Sequence, residues 1–178
     1  MAAVTPKQLA GCEAFAGLTD AEAASLAALA GEEQFSPGDV VFEESTESTD
    51  LFVVLDGRVC VEIDAPAANG EGHEHLQLAV LREGEVFGEI AFLEGRRRSA
   101  RVCAMDKVRV ARLDGGRLLK LFEGDTRLGY RVMKNLALVL AQRVVDVNFK
   151  WRQDRANAVP AGAVHSPRPA GPGPRKRQ

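Results

Sequence analysis

Residues 51–63 have the sequence LFVVLDGRVCVEI, and this stretch decides the fold class. Two short runs rich in Val, Leu and Phe lie on either side of Asp56–Gly57. In the second run every other residue is apolar, which is the period of a half-buried β-strand. An Asp-Gly pair between two such runs is a strong hairpin signal. We therefore predict that these two strands pair with each other.

Strand signals continue on both sides of this stretch, from Glu33 to Asp114. The runs are short and β-branched, and turn sequences such as SPGD at residues 36–39 separate them. Many short strands at spacings of about eight to twelve residues are typical of an antiparallel sandwich or barrel.

Helical patterns flank the strands. Thr5 with Pro6, and Thr19 with Glu22, predict two helix starts near the N-terminus. Beyond residue 114 apolar residues recur at intervals of three and four. They predict a long helix, capped by Asp125 or Thr126 and ending at about residue 148. Its apolar stripe comprises Leu128, Val132, Leu136, Val139, Leu140, Val144 and Val147.

The predicted fold class is α+β and mainly β: an antiparallel β-roll or jelly-roll-like barrel, flanked by N-terminal helices and a long C-terminal helix. We predict a helical segment at residues 1–32 and a β-roll with its helix at residues 33–150. Residues 151–178 are rich in Pro and Gly and predict a disordered basic tail. From residue 150 onward the net charge is +6, whereas the 178-residue chain carries −2.

Composition excludes several classes of function. Three cysteines without CxxC spacing argue against both a disulfide framework and a zinc site, and indicate free thiols. We see no signal peptide and no apolar run of membrane-spanning length, so a cytoplasmic protein without membrane contact is expected. No Ser/His/Asp, Cys/His or metal-binding constellation is evident. We therefore expect no enzymatic activity, no metal and no cofactor.

Residues 87–102, FGEIAFLEGRRRSARV, carry the functional signal. A Gly-Glu pair begins this stretch, and an Arg-Ser-Ala triplet follows near its end. The stretch resembles the phosphate-binding cassette of cyclic nucleotide-binding domains, the Crp/Fnr-like sensor domain of the catabolite-activator type. The resemblance extends over residues 15–150 and includes the preceding blocks FSPGDVVFEE and DLFVVLDGRV, in the order typical of the family.

The resemblance implies a role for each residue of the motif. Gly88 allows a close backbone approach, and Glu89 accepts the ribose 2′-hydroxyl. Arg98 pairs with the cyclic phosphate, since a guanidinium holds two oxygens at once. Asn148, on the long helix, contacts the base or lies in solvent. The implied ligand is cAMP or cGMP, and the implied binding residues are Phe87, Gly88, Glu89, Ile90, Ala91, Arg98, Ser99, Ala100 and Asn148.

The sequence departs from the family pattern at two positions. Ser45 stands where glycine is usual, and Arg97 stands where proline is frequent. We expect Arg96 and Arg97 to be solvated rather than to bind the ligand.

The resemblance implies a stand-alone regulatory module that binds cAMP or cGMP and signals through its C-terminal helix. The expected partner on that helix is a second copy, in a homodimer, or a different protein. Trp151 either covers the base or packs on that partner. Two alternatives stay open: a relative of Crp/Fnr-like transcription regulators without its own helix-turn-helix domain, and a nucleotide-independent interaction module. No sequence-specific DNA binding by this chain alone is expected.

Overall fold

The computed structural model describes residues 3–67 and 70–158. The described residues divide into two compact units, one ending at residue 140 and the other beginning at residue 141. Eight strands lie in the described part: β1 Ala30–Phe35, β2 Val40–Phe42, β3 Leu51–Asp56, β4 Val59–Pro66, β5 His73–Leu81, β6 Val86–Phe87, β7 Arg101–Ala104 and β8 Val108–Leu113. The α-helices are α1 Pro6–Ala10, α2 Asp20–Ala27, α3 Glu89–Glu94, α4 Gly115–Gly124 and α5 Thr126–Ala158, and a 3₁₀ turn spans Glu13–Phe15.

The strands form two antiparallel four-stranded sheets, with orders β1-β8-β3-β6 and β2-β7-β4-β5. Strand β3 is buried on both faces. Its residues Leu51, Val53 and Leu55 pack in a core shared with the helices, whereas Phe52 and Val54 pack between the two sheets. This double burial explains why the first run of the hairpin-like stretch is apolar without alternation. The predicted mainly-β roll with flanking helices is confirmed.

The predicted pairing of the two strands around Asp56–Gly57 is wrong. Strand β3 pairs with β6 and β8, whereas β4 pairs with β5 and β7 in the other sheet. Gly57 has a φ of +83°, and a Cβ there would lie 2.5 Å from the carbonyl oxygen of Lys107. The next residue, Arg58, donates from its backbone N–H and its Nε to Asp106, both at 2.8 Å. The turn therefore packs against the β7–β8 turn and leads the chain from one sheet to the other.

The helix starts agree with the predictions. Thr5 and Thr19 both form capping boxes. Asp125 caps α5, because its Oδ1 accepts from the backbone N–H groups of Arg127 and Leu128 at 3.1 and 3.0 Å. The predicted end near residue 148 is too early, since α5 continues to Ala158. Four members of its apolar stripe are buried in the core that β3 shares with the helices: Leu128, Val132, Leu136 and Val139.

The described residues of the second unit form the C-terminal part of α5, from residue 141 to residue 158. Within it the helix displays exposed Val144, Val147 and Trp151 side chains, and the guanidinium of Arg155 lies 5.2 Å from the centre of the Trp151 ring system. Residues 159–178, most of the predicted tail, lie outside the described residues. None of the described helices combines the length and the apolar character of a membrane span.

Candidate functional site

The motif at residues 87–102 forms a strand, a short helix and a return strand. Gly88 caps α3 in the left-handed region, with a φ of +78°. A Cβ at this position would lie 2.5 Å from Arg98 Nη1 and 3.0 Å from the carbonyl oxygen of Asp50. Gly88 is therefore required twice: for its backbone conformation and for the space that Arg98 occupies. A second left-handed glycine, Gly95, ends the helix.

Arg98 is buried, with 3% of its surface exposed. Its Nη1 donates to the carbonyl oxygen of Gly88 at 3.2 Å, and its Nη2 donates to the hydroxyl of Ser48 at 2.9 Å. Its Nε finds no hydrogen-bond partner within the described part of the chain. Burial lowers the pKa of Arg98, and the nearby charges of Asp50 and Glu89 oppose that shift. The guanidinium is thus a buried cation that donates to two neutral oxygens and whose Nε has no hydrogen-bond partner within the described residues.

Three phenylalanine rings form an apolar wall beside this guanidinium. Its central carbon lies 4.2 Å from the centre of the Phe42 ring and 5.4 Å from that of Phe52. Phe52 and Phe87 are stacked at 5.1 Å, on directly opposed positions of β3 and β6. The ring faces attract the cation and fix its plane. Sequence reasoning assigned no role to Phe42 or Phe52, although both stand in the predicted strands.

Glu89 is the first residue of α3 and is also buried, with 4% of its surface exposed. Its negative charge opposes the lowering of the Arg98 pKa by burial. The two charged ends of the motif therefore interact electrostatically. Glu89 and Arg98 are therefore two buried charges of opposite sign, and their roles toward ribose and phosphate stay predictions.

The loop before β3 holds the other side of Arg98. Ser45 N–H donates to the Arg98 carbonyl oxygen, and Arg98 N–H donates to the Thr46 carbonyl oxygen, both at 2.9 Å. Ser45 has a φ of 63°, a left-handed value that glycine adopts more readily. The backbone at Ser45 therefore has a conformation that favours glycine. Arg97 forms an exposed salt bridge with Glu47 at 2.9 Å, in keeping with the solvated role expected for it.

Asp50 connects this site to the start of α4. Its Oδ2 accepts from Arg112 Nε at 2.7 Å, and its Oδ1 accepts from the backbone N–H of Gly115 at 3.3 Å. Arg112 also donates to Glu33 at 3.0 Å, and this bond contributes most to the raised pKa of Arg112. Neither Asp50 nor Arg112 was predicted, because their contact joins segments 62 positions apart.

The structure brings Phe87, Gly88, Glu89 and Arg98 together. Ala91 and Ala100 are buried nearby in sequence, whereas Ile90 and Ser99 are exposed. Ser99 lines an open cleft of about 730 Å³, together with Ser48, Gly95 and Arg97. Asn148 is exposed in the second unit, and its contact with the base stays a prediction.

Comparisons with known proteins identify the family of this chain. Residues 32–125 match the profile of a family described as cyclic nucleotide-binding domain. Cyclic GMP-binding protein C of Dictyostelium discoideum is 30% identical over 138 residues, which are 78% of this chain and 5% of that protein. A protein of Rhodopseudomonas palustris named as a potassium channel is 30% identical over 118 residues, which are 66% of this chain and 27% of its own. The chain thus spans a small part of both relatives.

Two solved structures share the fold at 25% identity. The catabolite activator protein of Thermus thermophilus superimposes with a TM-score of 0.65, over 79% of this chain and 62% of that one. The N-terminal domain of a Streptomyces coelicolor transcriptional regulator superimposes with a TM-score of 0.64, over 75% and 92%. The family profile covers more than half of the chain and includes the Gly88–Arg98 site, so this chain belongs to the cyclic nucleotide-binding domain family.

Proposed function

We propose that this chain is a regulatory module that binds cAMP or cGMP and passes the binding signal to a partner through α5. The observation that carries the proposal is that Arg98 and Glu89 are both buried and carry opposite charges. Arg98 is a buried cation whose Nε has no hydrogen-bond partner within the described residues, and Glu89 is a buried carboxylate at the start of α3. A cyclic nucleotide has complementary groups, an anionic phosphate and a neutral ribose hydroxyl that donates.

Ligand binding would give Arg98 a stronger acceptor than those that it has in this structure. Its two Nη groups donate to neutral oxygens of Gly88 and Ser48. A phosphate oxygen is a stronger acceptor than either, because charge-assisted hydrogen bonds are about twice as strong as neutral ones. Glu89 belongs at the sugar end, since phosphate would repel its carboxylate.

The same bonds favour a second candidate, a nucleotide-independent module of the same fold. If the Gly88 and Ser48 contacts are strong enough, Arg98 holds the cassette together without a ligand. The two candidates differ in what they predict for a nucleotide titration.

A packed route runs from the cassette to α5 within residues 1–140. Phe92 of α3 contacts Phe122 of α4 edge to face, with ring centres 6.5 Å apart. Gly129 of α5 lies so close to Phe122 that an added Cβ would be 2.8 Å from the Phe122 Cβ. A shift of α3 on ligand binding would therefore move Phe122 and, through it, the start of α5. The exposed end of α5 would then present a changed surface to a second copy or to a different protein.

Calorimetric titration of the full chain with cAMP, cGMP and 5′-AMP tests the proposal. We expect micromolar or tighter binding of at least one cyclic nucleotide, and much weaker binding of 5′-AMP, whose phosphate is open and dianionic. No heat with either cyclic nucleotide would contradict the sensor role and support the nucleotide-independent module.

A further inference from the structure

The second unit carries a narrow apolar line along its helix. Val144, Val147 and Trp151 are spaced by three and four residues and are 60%, 64% and 60% exposed. This is the spacing of the a and d positions in a coiled coil, with Val144 and Trp151 at a and Val147 at d. We call these three residues the distal seam.

The rest of this helix surface does not widen the seam. Val145 and Phe149 are also exposed, but they lie more than about 100° around the helix from it. Between these faces Asp146 accepts a hydrogen bond from Gln142 at 2.9 Å. A narrow seam suits one partner helix, whereas helices that lie in a membrane surface present a broad apolar face.

The positions that flank the seam are basic or neutral. Arg143 and Lys150 precede the two a residues, and Asn148 and Arg155 occupy the flank on the other side. The Arg155 guanidinium lies 5.2 Å from the centre of the Trp151 rings, so a positive charge is held at the edge of the seam. None of these four flanking positions carries a carboxylate.

This charge pattern discriminates between partners. In a parallel pair of identical helices Lys150 would face Arg155 of the other copy, and in an antiparallel pair each flank would face its own basic copy. Like charges at these positions destabilise the pairing. A helix with Glu or Asp at its flanking positions meets attraction on both sides.

We propose that the distal seam docks an amphipathic helix of a different protein, with an apolar a/d seam and acidic flanks. This inference names the kind of partner that α5 binds. It rests on the part of the proposed function in which α5 passes the binding signal to a partner. It places the hetero-partner ahead of the homodimer.

The test uses the full chain, without nucleotide, and two synthetic Trp-free peptides. Both peptides have the same Ile/Leu seam; one has Glu at every flanking position and the other has Lys. Trp151 is the sole tryptophan of the chain and lies in the seam, so its fluorescence reports docking directly. We expect a blue shift with the Glu peptide that weakens as salt rises, and binding of the Lys peptide at least about tenfold weaker.

Three variants make the test specific. Val147→Lys should abolish the shift, and Val145→Lys, on the other face, should retain it. Reversing the flanks with Arg143→Glu, Lys150→Glu and Arg155→Glu should transfer the preference to the Lys peptide. Circular dichroism checks that each variant is folded.

Several outcomes would overturn the proposal. Equal affinity for the two peptides, or no fluorescence shift with either, would exclude a helix with acidic flanks as the partner. A shift with phosphatidylglycerol vesicles but not with the Glu peptide would indicate a membrane surface. Sedimentation as a dimer at tens of micromolar, abolished by Val147→Lys, would indicate a second copy. Since no nucleotide is present, these results are independent of whether the cassette binds one.

Discussion

Arg98 and Arg101 lie three positions apart in the same basic stretch, and the Nε of each has no hydrogen-bond partner within the described residues, but their other contacts differ. Arg98 donates to two neutral oxygens and lies against aromatic rings, and burial lowers its pKa. Arg101, on β7, contacts the carboxylates of Glu62 at 2.8 Å and Glu43 at 3.2 Å. Burial also lowers the pKa of Arg101, but the neighbouring Cys103, Glu62 and Glu43 outweigh it, and the net shift is upward.

The difference separates a binding arginine from a structural one. The charge of Arg101 is already matched by carboxylates, so an anion would gain little there. The hydrogen bonds of Arg98 go to neutral acceptors, so a phosphate would improve on them. Position in an arginine-rich motif does not make this distinction; the partners of each side chain do.

Removing the guanidinium of Arg98 should weaken cyclic-nucleotide binding far more than removing that of Arg101. This loss of affinity is the largest effect that we expect. Arg98→Ala should weaken cyclic-nucleotide binding by about 2–3 kcal/mol, on the order of 30- to 150-fold, because it removes a charge-assisted contact to phosphate. Arg101→Ala and the exposed control Arg96→Ala should leave affinity nearly unchanged. Calorimetry of the three variants measures this; equal losses at positions 98 and 96 would exclude the phosphate role.

The next largest effect should be a loss of stability when an added side chain at position 88 crowds Arg98. Gly88→Ala places a Cβ against the Arg98 guanidinium in a left-handed backbone position, and should lower the free energy of unfolding by about 2 kcal/mol. Gly95→Ala is the matched control, because Gly95 is also left-handed but has open space around its Cβ position. Urea unfolding of both variants separates crowding from backbone strain. If Gly95→Ala lowers the free energy of unfolding as much as Gly88→Ala does, then Arg98 does not restrict the side chain at position 88.

Arg101→Ala should act on stability, and its effect should depend on pH. We expect a loss of about 1–2 kcal/mol at pH 7, since Arg101 is partly exposed. Burial raises the pKa of Glu62, but hydrogen bonds from Cys103, Cys60 and Arg101 lower this pKa by more than burial raises it. The net shift of the Glu62 pKa is therefore downward. The stability that Glu62 contributes is therefore present above its ordinary pKa and lost as pH falls through its lowered value. Urea unfolding at pH 7 and pH 3.5 should show the difference shrinking in acid; a constant difference would exclude this pairing.

Glu89→Gln should weaken cyclic-nucleotide binding less than Arg98→Ala does. Its amide oxygen still accepts, so we expect a loss of about 1 kcal/mol for cAMP or cGMP. The 2′-deoxy analogues should bind the variant and the original chain alike, because they lack the donor that Glu89 accepts. Equal losses for both kinds of ligand, in the same calorimetric titrations, would remove Glu89 from the ribose role.

The sequence predicted the local part of the fold well. Thr19, Glu22 and Asp125 act on backbone groups within three residues, so their patterns identify the helix starts directly. Asp56–Gly57 shows the limit of such patterns. The pair correctly indicated a turn, but strand partners depend on which edges the remaining strands occupy.

The candidate site divides in the same way. Gly88, Glu89 and Arg98 belong to one contiguous motif, and the sequence named all three. Ser48 and Phe42 meet Arg98 across 50 and 56 positions, and single-sequence patterns carry no signal for contacts of that range.

The comparison of the two arginines has a direct spectroscopic test. Nitrogen–proton spectra of the ¹⁵N-labelled chain resolve arginine Nε–H groups, and Arg98→Lys and Arg101→Lys variants assign the two signals. On saturation with cAMP or cGMP, the account predicts a large shift of the Arg98 Nε–H signal, because the phosphate binds beside a group that has no hydrogen-bond partner within the described residues. The Arg101 signal should stay in place, held by Glu62 and Glu43. A saturating nucleotide that leaves Arg98 unshifted, or shifts Arg101 as much, would contradict the assignment of Arg98 as the phosphate-binding residue.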